Sequence, residues 1–319
     1  PDDPEFWIEA ARLNGRPKAG AEDGRILPGS FEALIAAYQA SPHWNDVHTE
    51  GTRRTYGTYL KVILAAWKRQ LVDDLTVAGV IAMRNELAAT APSAANMMVT
   101  VLKALLAWGI NNGECTKNVA RDIKPIDTDV EHAFPWPVDV WTKTVKSAPT
   151  DVSRLAFLGR VTGQRISDLI RLRPADLKGD LFHIQIRKLR GKLHRLPVAP
   201  ADLKVIRSWG VGDMTPFLTR ANGKRHSEKT MRKALADWLD AAGFKEAEGE
   251  EIRPHGLRAM ACCDARLKGL DHDDVAALFC MSPGLVKRYT HHIDREAEAR
   301  NARSKMERPA QTRPPHGAN

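Results

Sequence analysis

The chain is short of cysteine, aromatic side chains and long apolar runs, and each shortage removes a class of protein. The four cysteines, Cys115, Cys262, Cys263 and Cys280, fall at no framework spacing, and the adjacent pair Cys262–Cys263 is poorly disposed for a disulfide. A disulfide-stapled secreted domain is therefore excluded, and a reducing cytoplasm is the expected compartment. No CxxC or HxxxH spacing links Cys262, Cys263, Cys280, His291 and His292, so no zinc framework is indicated. Nor is there a phosphate-binding P-loop or a dinucleotide fingerprint, and no cofactor is expected. No apolar run reaches the roughly 18 residues of a membrane span, and "VLKALLAWGI" is interrupted by a lysine. Residues 1–20 are polar and contain prolines, unlike the apolar segment of a signal peptide.

What the sequence has is length and positive charge. Its 319 residues suffice for two domains with separate cores. A formal net charge of +9 favours a polyanionic partner, because each phosphate neutralised by Lys or Arg releases condensed counterions. The chain begins at Pro1, and an upstream segment is expected.

Residues 1–29 are rich in Gly, Pro and charge and read as an arm or linker. Helical apolar periodicity then sets in. "SFEALIAAYQAS", "TEGTRRTYGTYLKVILAAWKRQ", "TVAGVIAMRNELAAT" and "SAANMMVTVLKALLAWGINNG" predict a small helical bundle over 30–125. Its polar faces hold Arg53, Arg54, Lys61 and Lys103 as candidate DNA contacts. A proline-bearing linker is expected at 126–136, a second domain at 137–308, and a disordered tail at 309–319. In the second domain "LFHIQI" alternates as a strand, "RKLRGK" makes a basic turn and "LHRLPVAP" returns. The fold class is thus mainly α with a small antiparallel β-sheet.

Chemistry concentrates at four places in that second domain. "VTGQRISDLIRL" breaks a helix at Gly163 and sets Arg165 and Asp168 at the junction. The hairpin turn supplies Arg187, Lys188, Arg190 and Lys192. "RPHGLRAM" places His255 and Arg258 one helical turn apart. "FCMSPGLVKRYTHH" starts a helix at Ser282-Pro283 and carries Tyr289 in its second turn, with Lys287 and Arg288 beside it. Singly, each is an ordinary cap or solvated surface. Together they are the groups needed to cleave a phosphodiester. Arginines hold the nonbridging oxygens, a tyrosine attacks, and a lysine or histidine protonates the leaving oxygen.

In order and wording these clusters resemble the tyrosine recombinases, the phage integrase family. "TGQRISDL" resembles that family's first arginine box, "HGLR" its His-x-x-Arg box and "KRYTH" its nucleophile box. The helical bundle resembles the family's core-binding domain, and "PEFWIEA…LPGSFEALIAAYQAS" is similar to the stretch before it in alphaproteobacterial prophage integrases. The resemblance implies that Arg165 and Arg258 clamp the phosphate, His255 assists proton transfer, Lys188 is the general acid with Lys192 in reserve, and Tyr289 attacks. It implies a supporting role for Asp168 in the arginine network. Cys280 stands where the family usually has histidine or tryptophan, and a thiol is a weak donor.

The implied protein is a site-specific recombinase of integrase type that clamps double-stranded DNA, with no membrane partner. It would be a monomer when free and a tetramer on synapsed DNA, helped by an excisionase or bending protein. The charged stretch after Tyr289, with its weak stripe Ala297, Ala299, Ala302 and Met306, is expected to dock on a neighbouring protomer. Two rival readings use the same residues: a recombinase-derived DNA-binding protein silenced through Cys280, and a DNA-relaxing enzyme like a type IB topoisomerase.

Overall fold

In the computed structural model, the structure describes residues 26–46, 48–128, 134–189, 191–244, 246–247 and 249–307. The expected tail at 309–319, most of the expected arm at 1–29, and Arg190 lie outside the described residues. The chain divides into two compact units, one within Pro1–Val130 and one within Glu131–Asn319.

The first unit is helical: α1 (Phe31–Ala40), α2 (Pro42–Asp46), α3 (Glu50–Trp67), α4 (Val77–Ala88) and α5 (Pro92–Asn111). Ser30, Thr49 and Thr76 each accept a hydrogen bond from the backbone N–H three residues on, which satisfies an otherwise orphaned donor at the start of α1, α3 and α4. The short α2 was not foreseen, since it buries no residue and so leaves no apolar period. Among the described residues, α5 is long and apolar enough by length and composition to cross a membrane. Its Ala95, Met98, Leu102 and Leu105 are fully buried and form the middle of this unit's core. The segment after α5 is strapped back onto it. Asn96 exchanges two 2.8 Å bonds with the backbone of Ile126, and Lys103 Nζ donates to the Ile123 carbonyl at 2.6 Å.

The second unit contains α6 (Val138–Ser147), α7 (Thr150–Thr162), α8 (Ile166–Leu169), β1 (Leu177–Lys178), β2 (Leu181–Ile186), β3 (Lys192–Pro197) and α9 (Pro200–Ser208). It continues with α10 (Glu228–Ala241), β4 (Glu246–Ala247), β5 (Glu250–Glu251), α11 (Gly256–Leu267), α12 (His272–Phe279) and α13 (Pro283–Glu307). It reaches upstream of Pro137, where the sequence suggests a linker: Trp136 is buried and its indole N–H donates to the Arg253 carbonyl at 2.7 Å.

β1, β2 and β3 form an antiparallel sheet in that order, with Ile184 opposite His194 and Ile186 opposite Lys192. Phe182, Ile184, Ile186 and Leu196 turn one face of it into the core. Helices α7 and α11 cross closely at Gly159, where a Cβ would stand 2.9 Å from the Leu257 side chain. That approach brings the residues after α7 beside the first turn of α11. The stretch carrying Tyr289 and the charged stretch after it are one helix, α13.

Candidate active site

The site begins where α7 stops. Gly163 closes that helix with φ 59°, a left-handed conformation that L-residues avoid, and a Cβ there would sit 2.8 Å from the Phe279 ring. Gln164, buried, donates its side-chain amide to the carbonyls of Thr162 and Phe279. The turn is thereby pinned to the end of α12, and half-buried Arg165 stands at the start of α8.

Arg258, on the first turn of α11, is 1% exposed. Its Nη1 donates to the Gly163 carbonyl, while Nε and Nη2 have no hydrogen-bond partner among the described residues. Burial, and then the Arg165 charge, push its pKa down. Two guanidinium groups held together, one of them dry with free donors, are costly until an anion joins them. Oxygen atoms of a phosphodiester match that need, since the fork geometry of arginine suits paired phosphate oxygens.

His255 precedes α11, and Tyr289 on α13 faces it with Oη 2.9 Å from Nε2. Although the residue keeps an exposed edge, desolvation at the site first, then the charges of Arg258, Arg165, Arg232 and Lys188, lower the His255 pKa to about 4. The imidazole is therefore neutral near pH 7, and with its proton on Nδ1 it can accept one from the phenol at Nε2. Tyr289 itself is 5% exposed, and burial raises its pKa while Arg258 and Arg165 pull it down. The phenol is thus un-ionised at rest, beside a base and two cations that would favour its oxyanion.

Asp168 is buried at the edge of this group. One carboxylate oxygen accepts from the Arg187 N–H at 3.2 Å and the other has no partner among the described residues. Burial raises its pKa, opposed by that N–H and by Arg165, Arg258 and Arg187. The carboxylate fastens the β2–β3 hairpin to the arginine turn. Lys188 lies in the tight turn Arg187–Leu189 after β2, and Lys192 opens β3; both are exposed. The Lys188 charge acts on His255 and that of Lys192 on His194. Arg187 pairs loosely with Glu228 at 3.5 Å.

Cys280 lies at the end of α12 in the left-handed conformation, φ 51° and ψ 62°, and its backbone N–H caps the helix by donating to Ala276. Among the described residues it is the only non-glycine with positive φ. The position therefore sets backbone direction between α12 and α13, and its thiol makes no hydrogen bond among the described residues.

Sequence reasoning passed over two cationic or titratable neighbours. His194 on β3 donates from Nε2 to the Leu278 carbonyl at 2.8 Å, and burial and the Arg258 charge depress its pKa. Its alternation with Leu196 on the inward face of β3 was the available signal. Arg232, exposed on α10, adds its charge at His255, and nothing in its local spacing marked it. The remaining cations lie elsewhere. Lys287 and Arg288 are exposed on α13. In the first unit Arg53 donates to the carbonyls of Asn45 and His48, Arg54 pairs with Glu50, Lys103 is spent on Ile123, and Lys61 is exposed.

A buried tyrosine bonded to histidine, next to two arginines and a basic hairpin, is the arrangement that the resemblance to tyrosine recombinases implies. Residues 142–296, within the second unit, match the model of the phage integrase family. No curated protein matches the chain. Among solved structures, the fold resembles a lambda integrase (residues 75–356) dimer bound to a COC′ core site. The two are 18% identical, with TM-score 0.68, over 81% of this chain and 94% of that one. A lambda integrase tetramer bound to a Holliday junction gives 17% identity and TM-score 0.69, over 89% of this chain and 85% of that one. The Tn1549 transposon integrase (residues 82–397) with circular intermediate DNA gives 15% and 0.67, over 88% and 99%.

Proposed function

We propose that the chain is the integrase of a prophage or related mobile element and recombines double-stranded DNA at specific sites. The observation that carries the reading is the 2.9 Å bond between Tyr289 Oη and a neutral His255, next to the unpartnered donors of Arg258. In this reading Arg165 and Arg258 bind the nonbridging oxygens of the scissile phosphate. His255 takes the phenol proton as Tyr289 Oη attacks phosphorus. The bond to the 5′-oxygen breaks, Lys188 protonates that oxygen, and the 3′-phosphate stays on Tyr289. Reversal with a different 5′-hydroxyl rejoins the strand, and the covalent ester conserves the bond energy throughout. Guanidinium groups meet the developing charge, so the chemistry needs no metal ion.

The first unit serves in this scheme as the core-binding domain, with its exposed Arg54 and Lys61 toward DNA phosphates. Assembly as a tetramer during strand exchange, an excisionase or bending protein as helper, and a bacterial cytoplasmic setting complete the proposal. It is supported by the likeness to lambda integrase, solved as a tetramer on a Holliday junction.

The test is a nicked suicide substrate from which the 5′ fragment diffuses away. A denaturation-resistant protein–DNA adduct should form with EDTA present and vanish in Tyr289→Phe. Tight, site-specific binding with no adduct would favour the DNA-binding reading and sink this one.

A further inference from the structure

The helix carrying the nucleophile is held by few apolar contacts. Val286, Tyr289 and Thr290 on its first two turns are buried, but beyond Thr290 every described side chain of α13 is exposed or only half-buried. Beside a weak contact of His292 Nε2 with Cys263 Sγ at 3.9 Å, the strongest fastening there among the described residues is one carboxylate. Asp294 Oδ1 accepts from Arg266 Nε at 3.1 Å and Nη2 at 2.8 Å, from α11. Its Oδ2 accepts from His272 Nε2 at 2.9 Å, at the start of α12, and from the hydroxyl of Thr290, the residue after Tyr289. Arg266 Nη1 also donates to the Leu270 carbonyl in the turn between α11 and α12. The Asp294 side chain is 16% exposed, so these charge-assisted bonds are little screened by solvent and of the stronger kind. Burial raises the carboxyl pKa, yet the donors from Thr290, His272 and Arg266 leave it below the ordinary value, and the group stays ionised.

We propose that Asp294 is a positioning residue. It latches the Tyr289 helix to α11 and α12 of its own chain, so that Tyr289 is delivered to the phosphate held by its own Arg165 and Arg258. The latch rests on Tyr289 being the nucleophile. The carboxylate touches neither DNA nor the reacting atoms; it sets which active site the helix serves. With Asp294 gone, the helix has little else to keep it home, and the tyrosine becomes free to reach a neighbouring protomer's site.

The decisive experiment mixes two inactive chains on a nicked full site. One, carrying a size tag, is Arg165→Ala and keeps Tyr289; the other is Tyr289→Phe and keeps the arginines. With Asp294 intact, tagged adduct should be scarce. With Asp294→Ala added to the tagged chain, it should rise at least about tenfold, while Asp294→Ala alone loses adduct rate at unchanged DNA affinity. Asp294→Glu should bring the mixture back toward scarcity. His272→Gln, which cuts one arm and spares the Arg266 pair, should raise the yield by a smaller factor and serves if Asp294→Ala fails to fold. Equal tagged yields with and without the latch overturn the proposal. Wild-type chain run alongside separates the two levels of inference: no adduct from it would defeat the nucleophile assignment instead.

Discussion

The two halves of the candidate site are built on opposite terms. Arg258, Tyr289 and Asp168 are buried in or at the edge of the hydrophobic core, held by α11, α13 and the Gly163 turn, with His255 at their solvent-exposed rim. Lys188 and Lys192 ride on an exposed hairpin tied to carboxylates through Arg187, whose N–H donates to Asp168 and whose guanidinium pairs loosely with Glu228. The dry half has its charges fixed before substrate arrives, at the expense of burying a cation with donors unpaired. The wet half costs nothing to keep charged and can move. A group that neutralises developing charge gains from being rigid and desolvated, whereas one that delivers a proton late gains from reach.

This contrast breaks first at Arg258. Replacement by methionine, of similar length and apolar, should lower the rate of adduct formation by ~10³-fold. It should also leave thermal stability equal or higher, by about 1–4 kcal/mol, because an unpaired buried cation is removed. A calorimetric melt beside the suicide-substrate assay checks both, and a large loss of stability would mean that Arg258 is chiefly a structural residue.

The hairpin half should respond to leaving-group chemistry. Lys188→Ala should slow cleavage by roughly 10²–10³-fold on an ordinary phosphodiester. On a substrate whose bridging 5′-oxygen is replaced by sulfur the defect should nearly disappear, since a thiolate leaves without a proton. If Lys192→Ala shows that pattern instead, the acid is Lys192 and the hairpin closes by a different register.

A smaller effect follows from pH. His255 has a folded-state pKa of about 4 against an ordinary 6.5, so between those values the unfolded chain binds the extra proton. Stability should therefore fall as pH drops from about 6.5 to about 4, and His255→Gln should flatten that part of the profile. Adduct rate between pH 8 and 6 should not be limited by protonation of His255.

Cys280 gives the smallest change. Its left-handed backbone strains a residue with a Cβ, so Cys280→Gly should stabilise the second unit by about 1 kcal/mol with little effect on DNA affinity. Cys280→His asks whether a donor at this place speeds cleavage; no acceleration would mean another group, such as His194, already meets the phosphate.

Much of this arrangement was legible because its residues sit at breaks in periodicity. Gly163 before Arg165, Pro254 before His255 and Ser282-Pro283 before Tyr289 each mark a helix end, where a polar side chain can face a cleft. The alternation in "LFHIQI" gave the β2–β3 hairpin and its lysines. His194 escaped notice because a histidine inside an alternating strand looks like any half-buried residue until its distant partner, the Leu278 carbonyl, is known. The Asp294 latch was hidden for the same reason, with Arg266 and His272 lying 28 and 22 residues away in sequence. In the first unit the basic residues were visible but their roles were not. Charge alone does not distinguish Lys103, bonded to a backbone carbonyl, from Lys61, open to solvent. Cys280 was read as a weak donor at a position where the resembled family has histidine or tryptophan; its helix-ending backbone conformation was not visible in the sequence.

The central claim is that the Tyr289 hydroxyl becomes the covalent link to DNA. Adduct from the wild-type chain on a nicked site can be digested with protease and nuclease, and the nucleotide-bearing peptide sequenced by mass spectrometry. The account predicts a single modified peptide with the 3′-phosphate on Tyr289, and none from Tyr289→Phe. A modified residue elsewhere, or DNA bound tightly with no modified peptide, would contradict it.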